Sequence, residues 1–334
     1  MRDETVSSGF LLGLLGYAVT RGADRDALLA ASGLDAAALD DRDARLPYAR
    51  YIALMHAART ATGDPALALN FGQEVDVSDI SIVGLIGKAS NTMLEAFEQL
   101  NRYVRLIVDV ELTGEDRFAL KRDGGGLWFT DLRANANAFP ELTESAFSHI
   151  VAGPRRAGVP EWLREVRVTH PKPSHAAEYE RIFRVPVVFN ADRNAMRMEE
   201  SIVSHRVGIL PRYAFGVLTE HAQALLSELE SADTTRGRVE SLLMPVLHKG
   251  EANMDAVAEK LGVSRQTLYR ALKDEGVTFE QVLDALRHRL ALEYLRGKKT
   301  TVNETAYLVG FSDPASFSRA FKRWTGKSPS EMRD

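Results

Sequence analysis

Two segments of the chain, about 48 residues apart, share one short pattern, and this repeat limits the possible fold more than any other feature. In residues 258–264 and again in residues 306–312, an alanine lies four positions before a glycine, and an apolar residue and a serine follow the glycine. The small alanine lets two helices approach closely, and the glycine permits the positive φ of a tight turn. Each segment is therefore predicted to be a short helix that ends in such a turn.

A second predicted helix follows each turn, and four of its positions match between the copies. They hold an apolar residue, an arginine, a second apolar residue and a lysine at identical spacing: Leu268, Arg270, Leu272 and Lys273 in the first copy, and Phe317, Arg319, Phe321 and Lys322 in the second. Apolar residues four apart lie on one helix face and can anchor it to a core. The basic pair lies off that face and can point outward. Such a helix fits the major groove of DNA, where arginine can pair with guanine and lysine neutralises phosphate.

The repeat has two interpretations. One is an ordinary helical bundle whose basic residues are merely solvated, and the other is a pair of helix-turn-helix units that bind DNA. Because the anchors, the glycines and the charges all match between the copies, we prefer the second interpretation. The sequence thus predicts an all-α C-terminal domain at residues 235–334 that binds double-stranded DNA.

Capping residues mark the predicted helix boundaries in this domain. Two capping-box pairs are present: Thr278 with Gln281, and Thr301 with Glu304. Asp313 precedes Pro314, and we prefer a helix-capping role for Asp313 to a base contact. The helix predicted at residues 278–296 would be about 28 Å long at about 1.5 Å per residue. One turn of B-DNA advances about 34 Å, so this connector suits two recognition helices in successive major grooves.

Charge is distributed unevenly along the chain. The whole chain has a net charge of −4, but residues 235–334 hold 17 Lys and Arg against 13 Asp and Glu. A basic end joined to an acidic body indicates that only the end meets phosphates. Before it we predict a long amphipathic helix at residues 211–230, a polar linker at 231–237 and a first domain helix at about 238–248. Residues 211–234 are thus interpreted as a connecting helix and linker.

Residues 1–210 are predicted to form a mixed α+β domain for ligand sensing and dimerisation. Helix-like apolar spacing occurs at residues 10–21, 24–32, 47–62, 65–74 and 92–104, and further helices are expected near 140–152 and 176–183. Asn91 is a candidate cap, and residues 83–89 are a loop or short helix. Strand-like runs occur at 106–113, 117–122, 127–131, 166–170 and 186–189. The tract Asp123-Gly124-Gly125-Gly126 is predicted to be a hairpin turn.

The C-terminal pattern closely resembles the motif of AraC-family transcription regulators. The matching residues are Ala306, Val309-Gly310-Phe311-Ser312, Phe317-Ser318-Arg319-Ala320-Phe321-Lys322-Arg323-Trp324, Gly326 and Ser328-Pro329, with Gly262-Val263-Ser264, Leu268-Tyr269-Arg270 and Leu272 in the first unit. The N-terminal part resembles the effector domain of the ornithine-utilisation and mycobacterial virulence regulators through Leu100, Tyr103, His170-Pro171, Pro173, Tyr179, Phe183, Pro186-Val187 and Phe189. It does not resemble the sugar-binding cupin barrel for which the family is named.

The resemblance implies a set of DNA-contacting residues. They are Arg265, Gln266, Thr267, Tyr269, Arg270 and Lys273 on the first recognition helix, and Ala315, Ser316, Arg319, Lys322 and Arg323 on the second. Family members often carry longer polar residues in place of Pro314 and Ala315, so we expect the second helix mainly to position the protein on phosphates. We expect an activator controlled by a small-molecule effector, with RNA polymerase as a partner and no cofactor. Because the amphipathic helix at residues 211–230 must bury its apolar stripe against its own domain or a second subunit, we also predict a homodimer paired through the N-terminal portion. No set of residues specifies the effector or its site.

Two other functions were weighed against regulation. An enzyme would need a convergent site, and the best candidate set is His170, His175 and His205 with Glu178 and Glu180; it lacks metal-ligand spacing. Because the chain has no cysteine, thiolate metal sites and cysteine nucleophiles are excluded. A ligand-independent DNA-bending protein would hardly need a body of some 200 residues. The apolar run at residues 10–19 is shorter than the roughly 20 residues that span a bilayer. We expect a cytoplasmic protein with no enzyme activity, metal or membrane contact.

Overall fold

The computed structural model describes residues 4–123, 126–159, 161–250, 252–296 and 300–333. The chain divides into two compact units, residues 1–226 and residues 227–334. The first unit combines helices with two sheets, and the second unit is helical throughout its regular structure. The predicted fold class, an α+β domain followed by an all-α domain with two helix-turn-helix units, is confirmed.

Helices form most of the first unit. They are α1 (Ser8–Thr20), α2 (Arg25–Ser32), α3 (Tyr48–Thr62), α4 (Leu67–Glu74), α5 (Val77–Ile80), α6 (Ile82–Ala89), α7 (Met93–Tyr103), α8 (Glu141–Arg156), α9 (Ala176–Phe183) and α10 (Arg212–Asp233), which continues into the second unit. The apolar run at residues 10–19 lies in α1, whose side chains are largely buried. Asn91 was wrong as the cap of α7, because Thr92 takes that position and its hydroxyl accepts from the Glu95 amide. No helix within the described ranges is both long and apolar enough to cross a membrane.

Two sheets complete the first unit. A three-stranded antiparallel sheet has the order β2 (Arg45–Pro47), β1 (Thr5–Ser7), β3 (Val108–Asp109). A five-stranded sheet has the order β4 (Phe118–Asp123), β5 (Gly126–Asp131), β8 (Ala195–Met198), β6 (Leu163–Arg167), β7 (Val187–Val188), in which only the last pair is parallel. Its strands pack on α7, α8 and α9 through one apolar core that includes Phe129, Phe147 and Tyr179.

The strand predictions needed three corrections, and the first is that the strand predicted at residues 166–170 is β6, which lies at Leu163–Arg167. Residues 106–113 were predicted as one strand, but Leu106 belongs to a 3₁₀ turn at Val104–Leu106, only Val108–Asp109 form a strand, and Leu112 makes an isolated antiparallel bridge to Arg133. Strand β8 was missed although it lies at the centre of its sheet. Its sequence, Ala-Met-Arg-Met, lacks the β-branched and aromatic residues on which strand prediction depends. Of the predicted hairpin turn, Gly124 and Gly125 lie outside the described residues, while Asp123 and Gly126 pair across it. Residues 83–89, predicted as a loop or a short helix, are helical and belong to α6.

The second unit is a bundle of short helices around the longer α14. The helices are α11 (Thr235–Leu243), α12 (Met254–Lys260), α13 (Arg265–Asp274), α14 (Phe279–Arg296), α15 (Val302–Leu308), α16 (Pro314–Thr325) and α17 (Pro329–Arg333), with a 3₁₀ turn at Met244–Lys249. The prediction of a polar linker at residues 231–237 is wrong, because most of these residues are helical: α10 runs to Asp233 and α11 begins at Thr235. Thr234 is the single residue between α10 and α11. Its hydroxyl caps α11 by accepting a hydrogen bond from the Gly237 amide.

Candidate nucleic-acid interface

The first helix-turn-helix unit consists of α12, a tight turn and α13. Gly262 has φ +68°, in the left-handed region that the sequence pattern required. Ala258 is buried, which allows the two helices to approach at the turn. Ser264 begins α13 as its cap, because its hydroxyl accepts a hydrogen bond from the Thr267 amide at 3.1 Å. The local sequence thus determines both the turn and the first residue of the recognition helix.

The second unit, α15 to α16, repeats this construction under a tighter constraint. Gly310 has φ +77°, and a Cβ at this position would lie 2.3 Å from the carbonyl oxygen of Leu247. Asp313 caps α16 by accepting from the Ser316 amide at 2.8 Å. Hydrogen bonds from the hydroxyl and amide of Ser316 hold the pKa of Asp313 below its ordinary value. The preferred capping role of Asp313 is confirmed, as is the capping box of Thr301 and Glu304.

The four anchor residues identified from the repeat reach one core. Leu268 and Leu272 of α13, and Phe317 and Phe321 of α16, are each at most 1% exposed. All four belong to the same apolar cluster as Leu286 of α14. The two recognition helices are therefore fixed to a common core and to the helix between them. Because protein interiors are close-packed, the spacing of the two helices is set by this packing.

Two long-range contacts that the sequence did not reveal strengthen this framework. From α14, Arg287 donates to the carbonyl oxygens of Val309 and Gly310 at 3.1 and 3.0 Å, and so ties the connecting helix to the second turn. At the end of α13, the Glu275 carboxylate accepts from the amides of Thr235 and Arg236 at 2.6 and 3.0 Å. Burial alone would raise the pKa of Glu275, but these donors outweigh it and hold the pKa below its ordinary value. Their partners are 22 to 40 residues away, so no local pattern signals them.

The outward face of α13 carries all six residues predicted for the first recognition helix. Arg265, Gln266, Thr267, Tyr269, Arg270 and Lys273 are exposed. Tyr269 is 53% exposed, which excludes it from the core. Arg265 forms an ion pair with Asp255 of α12, and the Thr267 hydroxyl lies 2.8 Å from that of Ser264. Within the described ranges Arg270 and Lys273 have no ion-pair partner, so both remain free to bind an external group.

The outward face of α16 carries five predicted contact residues, and both arginines among them bond to other side chains of the protein. Its predicted contact residues are Ala315, Ser316, Arg319, Lys322 and Arg323. Arg319 donates to the Ser316 hydroxyl at 2.9 Å, and Arg323 pairs with Asp284 of α14 at 3.0 Å. Lys322 and Ala315 are exposed. The face therefore offers cationic groups around a small side chain.

Two of the histidines weighed as an enzyme site, His170 and His175, lie in one network of hydrogen bonds. His170 Nε2 lies 2.9 Å from the Tyr179 hydroxyl, which donates to the Glu144 carboxylate, and His175 Nε2 lies 3.4 Å from the same carboxylate. This is a buried polar network between α8 and α9. Among the described residues, no group of three or more His, Asp or Glu side chains could hold a metal ion.

Two family models match the chain. The model of the N-terminal arabinose-binding domain of AraC transcription regulator matches residues 22–207, although this part was expected not to resemble the family's sugar-binding barrel. A helix-turn-helix domain model matches residues 257–334. The first match alone covers more than half of the chain. The chain belongs to the AraC family of transcription regulators, and its second unit is the helix-turn-helix DNA-binding domain of that family.

The chain is also similar to individual transcription regulators. The chain is 29% identical to the ornithine utilization regulator of Pseudomonas aeruginosa, in an alignment that covers 99% of this chain and 97% of that protein. It is 43% identical over 84 residues to the transcriptional activator RhaS of Escherichia coli, covering 25% of this chain and 30% of RhaS. A search of solved structures finds the regulator CdpR from Pseudomonas aeruginosa, with 24% identity, a TM-score of 0.43, and coverage of 92% and 96% of the two chains.

Proposed function

We propose that this protein is a sequence-specific transcription activator whose DNA affinity is controlled by a small molecule bound in its first unit. The observation that supports DNA reading most directly is the pair of exposed cationic helices, α13 and α16, anchored by matched residues to one core. An activator also needs contact with RNA polymerase, and the homology to RhaS, itself named as an activator, favours this role. Such a protein acts in the cytoplasm and needs no cofactor.

The two recognition helices have different tasks in this proposal. Helix α13 presents Gln266 and Arg270 one turn apart, and both side chain types pair with base edges in the major groove. Helix α16 presents Arg319, Lys322 and Arg323 around Ala315, a surface better suited to the phosphate backbone. Base discrimination therefore comes chiefly from α13, and α16 fixes the position of the protein on the duplex.

Replacing Arg270 by alanine should lower the affinity for the preferred site by about 1–3 kcal/mol and relax the preference at one base position. Replacing Lys322 by alanine should weaken binding to all sequences about equally, because phosphates are common to all of them. Fluorescence anisotropy on a panel of duplexes, each with one altered base pair, separates the two effects. Lys121→Ala is a matched control, since Lys121 is an exposed lysine of the first unit. If the two variants lose affinity for the same duplexes to the same extent, the assignment of Arg270 to a base and Lys322 to phosphate is wrong.

We further propose that the protein is a homodimer paired through its first unit. Near the start of α10, the apolar residues Ile209, Tyr213 and Val217 are 67%, 84% and 50% exposed. Tyr213 and Val217 are four residues apart and share a helix face. Exposed apolar surface of this kind is typical of a protein–protein contact. A dimer paired through this surface would bind two related half-sites on DNA, one for each subunit.

The double substitution Tyr213→Glu, Val217→Glu should convert the dimer to a monomer, because it places charge on the apolar surface. Light scattering at micromolar concentration measures the change. Lys121→Glu, which changes the charge by the same two units at an exposed position of β4, should leave the mass unchanged. Finding that the unaltered protein is already monomeric would contradict the proposal.

An effector that binds one arrangement of the two domains better than another should change the DNA affinity of the protein by about 5- to 150-fold.

A further inference from the structure

The first unit contains a cavity of about 360 Å³ that no sequence pattern indicated. Helices α6, α7 and α8 provide much of its wall, and most of the wall is apolar, including Val83, Met93, Phe97, Leu100 and Ile150. Pockets that bind small molecules commonly measure about 300–1,000 Å³ and combine apolar walls with a few placed polar groups. The cavity thus has the size and surface of a ligand site.

One buried arginine lines this cavity. Arg117, immediately before β4, is only 4% exposed. Its Nε lies 3.6 Å from Asp131 Oδ1, beyond ordinary hydrogen-bond length. Its Nε and Nη2 are buried, and neither has a hydrogen-bond partner among the described residues. A buried donor left unsatisfied costs about 1–3 kcal/mol, and more when it is charged. Arg117 therefore lacks an acceptor that a ligand could supply.

The carboxylate near Arg117 also lies close to a second buried arginine, Arg133. Asp131 accepts hydrogen bonds from the Arg133 amide and the Thr143 hydroxyl. The Arg133 guanidinium donates to the carbonyl oxygens of residues 136 and 139. Its pKa is lowered chiefly by burial, and further by the positive charge of Arg117, while Tyr48 and Asp131 oppose the change. Two buried guanidinium groups among the described residues therefore lie near the Asp131 carboxylate, and Arg117 is its ion-pair partner at 3.6 Å.

The other titratable groups of the cavity wall also favour an anion. Lys88 pairs with Asp76 at 2.8 Å, and Arg156 lies 3.8 Å from the same carboxylate. Burial alone would raise the pKa of Asp76, but Lys88 and Ser78 lower it to about 2, so Asp76 is ionised. Burial and Arg156 lower the pKa of His149 to about 4, so this ring is neutral near pH 7. Three cations against one carboxylate therefore line the cavity.

We propose that the cavity binds an organic acid with an apolar tail, whose carboxylate accepts hydrogen bonds from Arg117. Arginine and carboxylate form short, charge-assisted and often bidentate hydrogen bonds, which would satisfy the buried guanidinium. The tail would lie along the apolar wall. A polyhydroxylated sugar would leave most of its hydroxyl groups without partners on this wall, at considerable cost. The inference deepens the proposed effector control and rests on it only for the effect on DNA affinity, because ligand binding is measured separately.

Isothermal titration of the full chain with octanoate, and with 1-octanol as the neutral probe of equal length, tests the proposal. Octanoate should bind one per chain, and octanol should bind much more weakly. Arg117→Gln should weaken octanoate binding by about 10- to 150-fold, and Arg117→Lys by less, because lysine keeps the charge but loses the fork geometry. Arg122→Gln is the matched control on the same strand, since Arg122 is exposed and pairs with Glu200 at the surface.

A second variant protects the test against misfolding of the Arg117 variants. Ala96 lines the cavity, so Ala96→Phe fills it while the arginine is retained. This variant should lose octanoate binding, and thermal unfolding by circular dichroism should show a folded protein. The proposal is overturned if octanoate does not bind saturably, if octanol binds as tightly, or if folded Arg117→Gln binds like the unaltered chain. Octanoate binding that depends on Arg117 but leaves DNA affinity unchanged would support the site and refute effector control.

Discussion

Replacing Gly310 by alanine is expected to destabilise the DNA-binding unit by about 2–5 kcal/mol, whereas the same change at Gly262 should cost only about 1–2 kcal/mol. Both glycines have positive φ, so alanine is strained at either position. At Gly262 the added Cβ would meet nothing within 4 Å, but at Gly310 it would lie 2.3 Å from the Leu247 carbonyl oxygen. The backbone of the second turn must therefore move, and that turn also holds the acceptors of Arg287.

Denaturant unfolding of the two variants, monitored by circular dichroism, measures this difference. Each glycine serves as the control for the other, because they occupy equivalent positions in the repeat. DNA affinity at a temperature where both variants are folded should fall more for Gly310→Ala, because the start of α16 is displaced. Equal destabilisation by the two substitutions would show that the close approach to Leu247 is not a constraint.

The sequence predicted the DNA-binding unit well because its information is local and duplicated. Gly262 and Gly310 mark the turns, and the apolar pairs four residues apart mark the buried faces of α13 and α16. The capping residues Ser264 and Asp313 set where these helices begin. Each of these signals acts within a few residues along the chain, so it can be identified without knowledge of the fold. Which outward residues contact DNA stays a prediction.

Features that depend on distant residues could not be predicted in this way. The polar composition of residues 231–237 favoured a linker, yet the start of α11 is held by Glu275, some forty residues later. Strand β8 is central because both of its neighbours pair with it, although its own residues have little strand preference. The buried pair of Arg117 and Asp131 looks like two ordinary surface charges in the sequence. Only the sheet brings them together beside a cavity.

DNA affinity of the full chain should fall steeply as salt rises. Six basic residues lie on the two recognition helices: Arg265, Arg270, Lys273, Arg319, Lys322 and Arg323. A protein that makes about 6–10 phosphate contacts loses about 10³- to 10⁵-fold in affinity between about 50 and 200 mM salt, because bound counterions are released. With Arg270 assigned to a base, the other five and backbone amides supply these contacts, so we expect a loss near 10³-fold. The affinity of the fragment of residues 235–334, which holds one copy of these helices, should also fall as salt rises.

The most direct test of the central claim is hydroxyl-radical footprinting of the full chain on DNA that it selects from a genomic library, repeated over this range of salt. Helix α14 has 18 residues and a length of about 27 Å, which suits recognition helices in successive major grooves. Each subunit should protect two patches about 10 base pairs apart on one face of the duplex, and raising the salt should abolish both. Protection that does not depend on salt, or no binding to any selected fragment, would contradict the account.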